Sequence, residues 1–331
     1  MTVLVTGGAG YIGSHAALAL LDGGRSVVVL DNLSQGYRWA VPTGAAFVEG
    51  DCGDYDLVCR VISEHDVTAI MHFAGSIIVP ESVIYPLEYY YNNTVNSRAL
   101  AQAAVDSGIE HFIFSSTAGV YGEPKSTPIL EDFSLKPISP YGTSKMMTEK
   151  MLADAAIAHD LRYVALRYFN VAGADPKGRS GQTSRKATHL IKIASQTATG
   201  ARPQMAIYGE DYDTPDGTCI RDYIHVSDLA KAHVLALEYL EDGGESDVMN
   251  CGYGRGFSVK EVIGAVKRVS GIDFAVERAE RRPGDPAALI AAADRVREKL
   301  GWMPEYDDLD AIVRHALDWE ESLKTRQVDA A

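Results

Sequence analysis

The chain has 331 residues, of which 46% are hydrophobic and 23% charged, and its formal net charge is -14 at pH 7. This length suits one large or two modest domains and supplies enough apolar residues for a core. The negative charge, without an extended basic segment, argues against nucleic acid or an anionic membrane as a partner. The four cysteines (Cys52, Cys59, Cys219 and Cys251) fit no metal-ligand spacing, so we predict no metal site.

The amino-terminal residues are apolar but lack the basic segment that opens a secretory signal. No apolar run elsewhere in the chain is long enough to span a bilayer. We therefore expect a soluble protein of the cytoplasm.

The start of the chain predicts a strand, a glycine turn and a helix. Residues Thr2 to Thr6 are apolar and rich in β-branched side chains, as in a strand inside a parallel sheet. Gly7, Gly10 and Gly13 follow at G-x-x-G-x-x-G spacing, before an Ala- and Leu-rich helical segment from Ser14 to Asp22. Glycines allow a tight turn and let phosphates approach the positive end of the helix. The pattern predicts a pyrophosphate-binding turn.

A second strand, Ser26 to Leu30, leads directly into Asp31. A carboxylate at this point accepts hydrogen bonds from the ribose hydroxyls of adenosine and repels a 2′-phosphate, so NAD is favoured over NADP. A βαβ unit that binds no dinucleotide is the alternative interpretation.

Strands and helices continue to alternate as far as Asn170. The further predicted strands are Ala45–Glu49, Val67–Phe73, His111–Ser116 and Leu161–Phe169. The predicted helices are Asp54–Glu64, Pro86–Ser107 and Tyr141–Ala158. This alternation predicts an α/β fold with a Rossmann-like, doubly wound parallel sheet. The two long helices would form a dimer interface or pack within the chain.

After Asn170 the predicted elements become shorter and less regular. They are a strand Ile220–Val226, a helix from Ser227 or Asp228 to Leu240, a helix that starts with a Ser258/Glu261 capping box and ends before Gly271, and a last helix from Asp307 or Asp308 to about Lys324. We expect residues 1–170 to form an NAD-binding domain and residues 171–331 mainly a smaller α/β substrate domain. Residues 218–240 are expected to return to the first domain.

Tyr141 and Lys145 stand four residues apart at the start of a predicted helix, so their side chains share one face. A lysine ammonium near a phenol favours the phenolate and lowers its pKa, which suits tyrosine for acid/base catalysis. The preceding strand ends in Ser115-Ser116-Thr117, where a hydroxyl could bond a substrate oxygen beside the tyrosine. These residues predict a catalytic set of Tyr141, Lys145 and Thr117.

Longer motifs extend this pattern along nearly the whole chain. They are GGAGYIGSH from Gly7, DNLSQG from Asp31, HFAG from His72, ESVIYPLEYYYNN from Glu81, FSSTAGVYG from Phe114, SPYGTSK from Ser139, LRYFNVAG from Leu166, DGTCIRDYIHVSDLA from Asp216 and RRPGDPAALIA from Arg281. On these motifs the sequence resembles the extended short-chain dehydrogenase/reductase family and, within it, the branch of UDP-glucose 4-epimerases.

The resemblance implies an NAD-dependent isomerase that interconverts UDP-glucose and UDP-galactose by reversible oxidation at C4 through a 4-keto intermediate. Tyr141 would remove the proton of the 4-hydroxyl group, and Thr117 would bond the substrate oxygen. The cofactor is regenerated, so the reaction has no net redox change. Members of this branch are commonly homodimers through the two long helices.

The resemblance also implies the binding roles of individual residues. The residues that would contact NAD are Gly7, Gly10, Tyr11, Ile12, Gly13, Asp31, Asn32, Asp51, Cys52, Phe73, Ala74, Asn92, Lys145 and Tyr168. Those that would hold the UDP-sugar are Thr117, Tyr141, Asn170, His189, Leu190, Arg221, Arg282 and Asp285. Arginines suit this role because they offer fixed cationic groups to a diphosphate.

Three positions depart from the pattern of the family. Ile77 replaces a lysine near the cofactor, and His189 replaces an asparagine that contacts the substrate. Leu289 stands where other members have tyrosine or cysteine, so the range of sugars stays open.

The alternative interpretations are a 4-epimerase of UDP-GlcNAc/GalNAc or UDP-xylose/arabinose, a nucleotide-sugar 4,6-dehydratase, and an NAD-binding regulatory protein. A dehydratase needs carboxylates after Thr117, where this chain has Ala118 and Gly119. A regulatory protein would be expected to lose the pair of Tyr141 and Lys145, which is present.

Overall fold

The strands of the protein form one large and two small sheets. A computed structural model describes residues 1–183, 188–282 and 285–325. Its strands are β1 Thr2–Thr6, β2 Ser26–Asp31, β3 Ala46–Glu49, β4 Val67–His72, β5 His111–Thr117, β6 Arg162–Tyr168, β7 Asn170–Ala172, β8 Met205–Tyr208, β9 Ile220–His225, β10 Asp247–Cys251, β11 Gly256–Ser258, β12 Val276–Ala279 and β13 Ala288–Leu289.

The large sheet has seven parallel strands in the order β3-β2-β1-β4-β5-β6-β10. Its central strands are apolar because both faces are covered, and Val3, Leu4 and Val5 of β1 are completely buried. The strand order reverses between β1 and β4, and a crevice forms at the carboxyl ends of the strands at such a point. The predicted Rossmann-like α/β fold is confirmed.

Helices cover both faces of this sheet, and others surround the two smaller sheets. They are α1 Tyr11–Asp22, α2 Tyr55–Glu64, α3 Val79–Ile84, α4 Pro86–Tyr90, α5 Asn96–Asp106, α6 Pro140–Ala158, α7 Leu190–Ala198, α8 Val226–Glu241, α9 Val259–Ser270, α10 Asp294–Leu300 and α11 Leu309–Leu323. Helices α1 and α8 pack together on one face, and α2, α5 and α6 cover the other. Within the described ranges, none of the helices combines the length and the apolar character needed to cross a membrane.

The helix predicted from Pro86 to Ser107 is interrupted in the structure. Helices α4 and α5 are joined by a π-helical segment, Tyr91–Val95, which holds one more residue per turn than an α-helix. A further short helix, α3, precedes Pro86 and was not predicted. The interruption matters for the site because it places Asn93 inside the molecule.

The smaller part of the molecule surrounds β9, which pairs with β7, β11 and β13, while β8 pairs with β12. Helices α7, α9 and α11 pack around these strands. The chain returns to the large sheet from α8 to β10, residues 226–251, whereas the sequence indicated residues 218–240. The strand β10 was missed because its five residues include Asp247 and Asn250.

Asp228 on α8 joins the two parts of the fold. Its buried carboxylate accepts hydrogen bonds from the Tyr253 hydroxyl at 2.5 Å and from the amides of Glu305 at 2.8 Å and Tyr306 at 2.9 Å. Its backbone carbonyl accepts a further bond from the indole of Trp302 at 2.9 Å. Asp228 therefore connects α8 to two segments that are distant in sequence, the residues around Tyr253 and residues 302–306.

We predict that Asp228→Ala destabilises the protein by about 3 kcal/mol, because the buried Tyr253 hydroxyl and two partly buried amides lose their acceptor. Urea unfolding followed by circular dichroism measures the change. The control is Asp242→Ala at the exposed end of the same helix, which should stay within about 0.5 kcal/mol of the parent. Equal stability of the two variants would contradict this role of Asp228.

Candidate functional site

A cavity of about 840 Å³ opens at the carboxyl ends of β1 and β4. It is lined by all the residues predicted to contact a dinucleotide except Lys145, namely Gly7, Gly10, Tyr11, Ile12, Gly13, Asp31, Asn32, Asp51, Cys52, Phe73, Ala74, Asn92 and Tyr168. Four residues predicted to contact the substrate, Thr117, Tyr141, Asn170 and His189, line the same cavity. The fold thus brings together around one cavity residues that lie between Gly7 and His189 in the sequence.

The glycine turn has no space for side chains. A Cβ atom on Gly13 would lie 2.3 Å from the Gly7 carbonyl oxygen, and one on Gly7 would lie 2.5 Å from the Ala74 amide nitrogen. Gly7 also has a φ of +73°, which favours glycine. The backbone of β1, α1 and the loop after β4 therefore meets in direct contact, and the start of α1 faces the cavity.

Asp31, at the end of β2, is fixed by two backbone amides. Its carboxylate accepts hydrogen bonds from Ala9 at 2.9 Å and Leu33 at 2.8 Å. Burial raises the pKa of Asp31, although both hydrogen bonds act in the opposite direction. Each carboxylate oxygen keeps a lone pair for a further donor, as binding of a ribose diol requires.

Asp51 organises the adjacent side of the cavity. One of its oxygens accepts from the Gly53 amide at 2.8 Å and the Asn96 side chain at 3.0 Å, and the other accepts from Asn32 at 3.0 Å. Cys52 lies beside it, and burial raises the pKa of its thiol to about 12. The thiol is therefore a neutral wall of the cavity.

Tyr141 lies on the first turn of α6, which Ser139 caps by accepting the Gly142 amide at 3.2 Å. Burial raises the pKa of the Tyr141 phenol, and a hydrogen bond with Thr117 acts in the opposite direction. Thr117 itself caps a short turn by accepting the Gly119 amide at 3.0 Å. The two hydroxyl groups predicted to act on the substrate are thus adjacent.

Lys145 lies one helical turn after Tyr141 and is almost fully buried. Its ammonium donates to the Ser115 carbonyl at 3.0 Å and lies 4.9 Å from the centre of the Phe114 ring. Burial lowers the pKa of Lys145 to about 8, although Cys52 and Glu149 act in the opposite direction. The Ser115 carbonyl therefore fixes the position of the ammonium.

Asn93, on the π-helical segment, connects the cavity wall to α6. Its side-chain oxygen accepts the Ser76 amide at 2.7 Å, and its side-chain nitrogen donates to the Ser76 carbonyl at 3.0 Å and the Ser144 hydroxyl at 3.1 Å. Thr148 donates to the Asn93 carbonyl at 3.1 Å. The segment therefore holds the loop after β4 and the catalytic helix at a fixed distance.

His72 extends this network beneath the cavity. The Ser97 hydroxyl donates its one proton to the Asn93 carbonyl at 2.6 Å, so the Nε2 atom of His72, 2.7 Å from that hydroxyl, is the donor. The Nδ1 atom then accepts from the Thr6 hydroxyl at 2.7 Å. Burial, with a smaller contribution from Lys145, lowers the pKa of His72 to about 3. The ring is neutral and structural.

Several predicted substrate residues do not line the large cavity. Arg221 forms an ion pair with Asp285 at 3.0 Å, and the guanidinium of Arg282 lies 3.8 Å from the centre of the Tyr208 ring. Leu190 lies at a small separate cavity of about 20 Å³, which His189 shares. The structure therefore groups the arginines near one another in the smaller part of the molecule rather than beside Tyr141.

Two of the three positions that depart from the family pattern, Ile77 and Leu289, lie in different surroundings. Ile77 lines the large cavity, whereas Leu289 pairs with Arg221 on β9 and packs in a small apolar cluster with Phe169. The motif RRPGDPAALIA contains Pro283 and Gly284, which lie outside the described residues.

Sequence reasoning missed several residues of the cavity wall. They are Ser34, Gln35, Gly36 and Tyr37 after β2, Ser76 after β4, Phe169 after β6, and Gly181, Gln182 and Thr183 before α7. Their common signal is a polar or glycine-rich loop at the carboxyl end of a strand. Gln182 also fixes the ring of His189, with 2.7 Å between its side-chain nitrogen and Nδ1.

The parallel sheet, the glycine turn and the Tyr141–Lys145 pair define an enzyme of the extended short-chain dehydrogenase/reductase class. The chain belongs, more narrowly, to the NAD dependent epimerase/dehydratase family, which it matches over residues 3–252.

Known relatives are similar over nearly their whole length. A UDP-glucose 4-epimerase of Azospirillum brasilense is 62% identical, with 97% of this chain and 92% of the relative covered. The structure of a UDP-glucose 4-epimerase from Brucella ovis in complex with NAD is 46% identical, with a TM-score of 0.93 and 96% and 97% coverage. A UDP-Glc/GlcNAc 4-epimerase from Campylobacter jejuni is 49% identical, with a TM-score of 0.85 and 97% and 99% coverage.

We predict that Gly13→Ala abolishes NAD retention, because its methyl group collides with the Gly7 carbonyl and must displace the turn. NAD released from the purified protein by acid is measured enzymatically. The control is Gly264→Ala on α9, where a Cβ atom has no neighbour within 4 Å. This variant should keep its NAD and gain up to about 1 kcal/mol in stability. Normal NAD content in Gly13→Ala would contradict the assignment of the turn.

Proposed function

We propose that the protein interconverts UDP-glucose and UDP-galactose. The observation that carries this proposal is the Tyr141 phenol beside Thr117 in a dinucleotide-sized cavity, with the Lys145 ammonium one helical turn away. The names of the relatives agree with this reaction, as does the family to which the chain belongs.

The residues of the chain fit NAD as the cofactor. The glycine turn has no side chains that would keep a pyrophosphate from its backbone, and the Asp31 carboxylate has lone pairs left for the ribose hydroxyls. When bound, NAD would supply the acceptor and then the donor of the hydride at C4 of the sugar. The Tyr141 phenolate accepts the proton of the 4-hydroxyl group and later returns it, which gives the opposite configuration when the 4-keto sugar has turned over. Both proton and hydride return, so the sugar undergoes no net oxidation.

Lys145 is proposed to favour the phenolate form of Tyr141. Burial holds the proton on the Tyr141 phenol, and the hydrogen bond with Thr117 acts against this. In our proposal the Lys145 ammonium, one helical turn away, adds a positive charge that favours release of the proton. Since the pKa of Lys145 is about 8, the ammonium keeps its charge at neutral pH. Thr117 orients the sugar oxygen toward the phenol.

The smaller part of the molecule is proposed to hold the UDP group. Arg221 and Arg282 carry the positive charge that a diphosphate needs, and each is held by a neighbour, Asp285 and Tyr208 respectively. In our assignment Asn170 and His189, which line the large cavity, and Leu190, which lines the small cavity that shares both residues, also belong to the UDP-sugar site. Residues 171–225 and those after 251 would then be the substrate domain.

A related UDP-sugar is the second candidate substrate. Leu289 packs near Phe169 on the wall next to Thr117 and is smaller than the tyrosine of some members. The UDP-Glc/GlcNAc 4-epimerase of Campylobacter jejuni, at 49% identity, supports testing N-acetylated sugars.

We predict that Tyr141→Phe retains NAD but loses about 10²–10⁴-fold in kcat, the usual contribution of general acid/base catalysis. Turnover is measured with UDP-galactose, UDP-GalNAc and UDP-arabinose, with chromatography of the products. The control is Tyr55→Phe on exposed α2, which should keep the activity of the parent. Retained turnover in Tyr141→Phe would show another base. A parent that converts none of these sugars would refute the proposed function.

A homodimer in the cytoplasm is the proposed state of the enzyme. Leu87, Tyr91 and Val95 form an apolar stripe at spacings of four residues along α4 and the π-helical segment, with exposures of 79%, 64% and 49%. Leu87 and Tyr91 also line the large cavity, so Val95 is the member of the stripe that lies outside it. A second copy of the same face would bury this stripe. All four cysteines are free, as is usual in a reducing compartment.

We predict that Val95→Lys produces a monomer, because a charge placed in the apolar stripe is costly to bury. Sedimentation equilibrium measures the mass. Ile272→Lys is the matched control, since Ile272 is also 49% exposed but lies far along the chain, between α9 and β12. A monomeric parent, or a dimeric Val95→Lys, would exclude this interface.

A further inference from the structure

Three neighbouring strands present polar side chains at one level of the large sheet. Ser116 of β5 is in register with Arg167 of β6, which is in register with Asn250 of β10. We call these three residues the polar row. Each is at least 96% buried, although strands in this position are ordinarily apolar. The row begins next to Ser115 and Thr117, which contact Lys145 and Tyr141.

Glu149 of α6 binds this polar row with both carboxylate oxygens. One oxygen accepts from the Ser116 hydroxyl and from Nε of Arg167 at 2.9 Å, and the other accepts from Nη2 of Arg167 at 2.6 Å. Nη1 of Arg167 donates to the Tyr121 hydroxyl at 2.9 Å, and Tyr121 donates to Asn250 at 2.7 Å. The arginine is thus held from both sides, and its fork fixes the direction of the carboxylate.

Glu149 also lies four residues after Lys145, the spacing at which oppositely charged side chains pair on a helix. Both side chains are buried, where unlike charges attract strongly. Lys145 nevertheless forms no ion pair within the described residues, and its ammonium bonds the Ser115 carbonyl. The carboxylate that would pair with it is occupied by Arg167.

The other titratable groups around the catalytic pair are uncharged. Cys52 after β3 and His72 of β4 face Lys145, and Tyr89 of α4 and Tyr168 of β6 face Tyr141. Burial raises the pKa of Cys52 to about 12 and lowers that of His72 to about 3. Burial also raises the pKa of Tyr89 and of Tyr168. Glu149 is therefore the carboxylate whose charge acts on Lys145.

We propose that Arg167 is a positioning residue that holds the Glu149 carboxylate on the polar row and so keeps it from pairing with Lys145. The charge of the Lys145 ammonium is then not neutralised by a carboxylate, and it can favour the Tyr141 phenolate. This inference rests on the proposed function for the role of Tyr141. In this proposal Arg167 does more than link α6 to the sheet, because it also controls which charged group the Glu149 carboxylate can reach.

Two substitutions break the same ion pair with different consequences. Arg167→Gln releases a carboxylate that can capture Lys145, whereas Glu149→Gln releases none. For Arg167→Gln we expect the titration midpoint of Tyr141 to rise by about one pH unit and kcat at pH 7 to fall about tenfold. Glu149→Gln and the double variant Glu149→Gln/Arg167→Gln should keep the midpoint within about 0.3 units of the parent.

The midpoint is measured as phenolate absorbance at 295 nm on the purified protein with its NAD, from which the same background carrying Tyr141→Phe is subtracted. The titration needs no substrate, so it decides this proposal even if the parent converts no UDP-sugar and the proposed function fails. Thermal unfolding of each variant records the loss of stability separately. Arg25→Gln, which breaks the bidentate pair of Arg25 with Glu241 at the opposite end of the sheet, is the control.

Equal midpoints in Arg167→Gln and the parent would overturn the proposal, as would a double variant that stays shifted. Equal kinetic losses in Arg167→Gln and Glu149→Gln, without a change of midpoint, would show a purely structural pair. If Arg167→Gln does not fold, Arg167→Lys takes its place, because lysine keeps the charge but not the fork. Its midpoint should rise by about half a unit, and an unchanged midpoint would overturn the proposal equally.

Discussion

Direct contact between backbones at Gly7 and Gly13 is the constraint on which the rest of the site depends. Side chains at either position would separate β1 from α1 or from the loop after β4. Because these segments touch, Asp31 reaches the Ala9 amide inside the turn, and the carboxyl ends of β1, β2 and β4 surround one cavity. The turn thus sets the shape of this end of the cavity, where we propose that the nucleotide binds.

Helix α6 carries ionisable groups on its buried face, and each group is paired with the sheet rather than with its neighbour on the helix. Tyr141, Lys145 and Glu149 follow one another at intervals of four residues on a buried face. The strands opposite supply one partner for each, respectively Thr117, the Ser115 carbonyl and Arg167. Neighbouring groups on the helix are therefore satisfied by the sheet rather than by one another.

The predictable parts of the fold are those encoded by local pattern. The run Thr2–Thr6, the glycine spacing and the strand His111–Ser116 are apolar or glycine-rich over short windows, so their structure followed from the sequence. The strand β10 and the π-helical segment were not predictable in this way, because β10 depends on pairing with β6 and the segment on the bonds of Asn93. The same holds for the site. Tyr141 and Lys145 carry a local signal, whereas the bond of Arg167 to Glu149 exists only after two elements pack.

The late position of β10 in the sequence has a consequence for folding during synthesis. This strand completes the edge of the large sheet. It is separated from its partner β6 by nearly eighty residues, which include much of the smaller part of the molecule and then α8. Until Cys251 has left the ribosome, β6 presents unpaired backbone groups, and the Arg167 fork lacks the neighbouring strand that supports Tyr121. The amino-terminal half therefore lacks one edge strand of the large sheet until this point. A nascent chain arrested before β10 would expose an adhesive sheet edge, the kind of surface that chaperones shield.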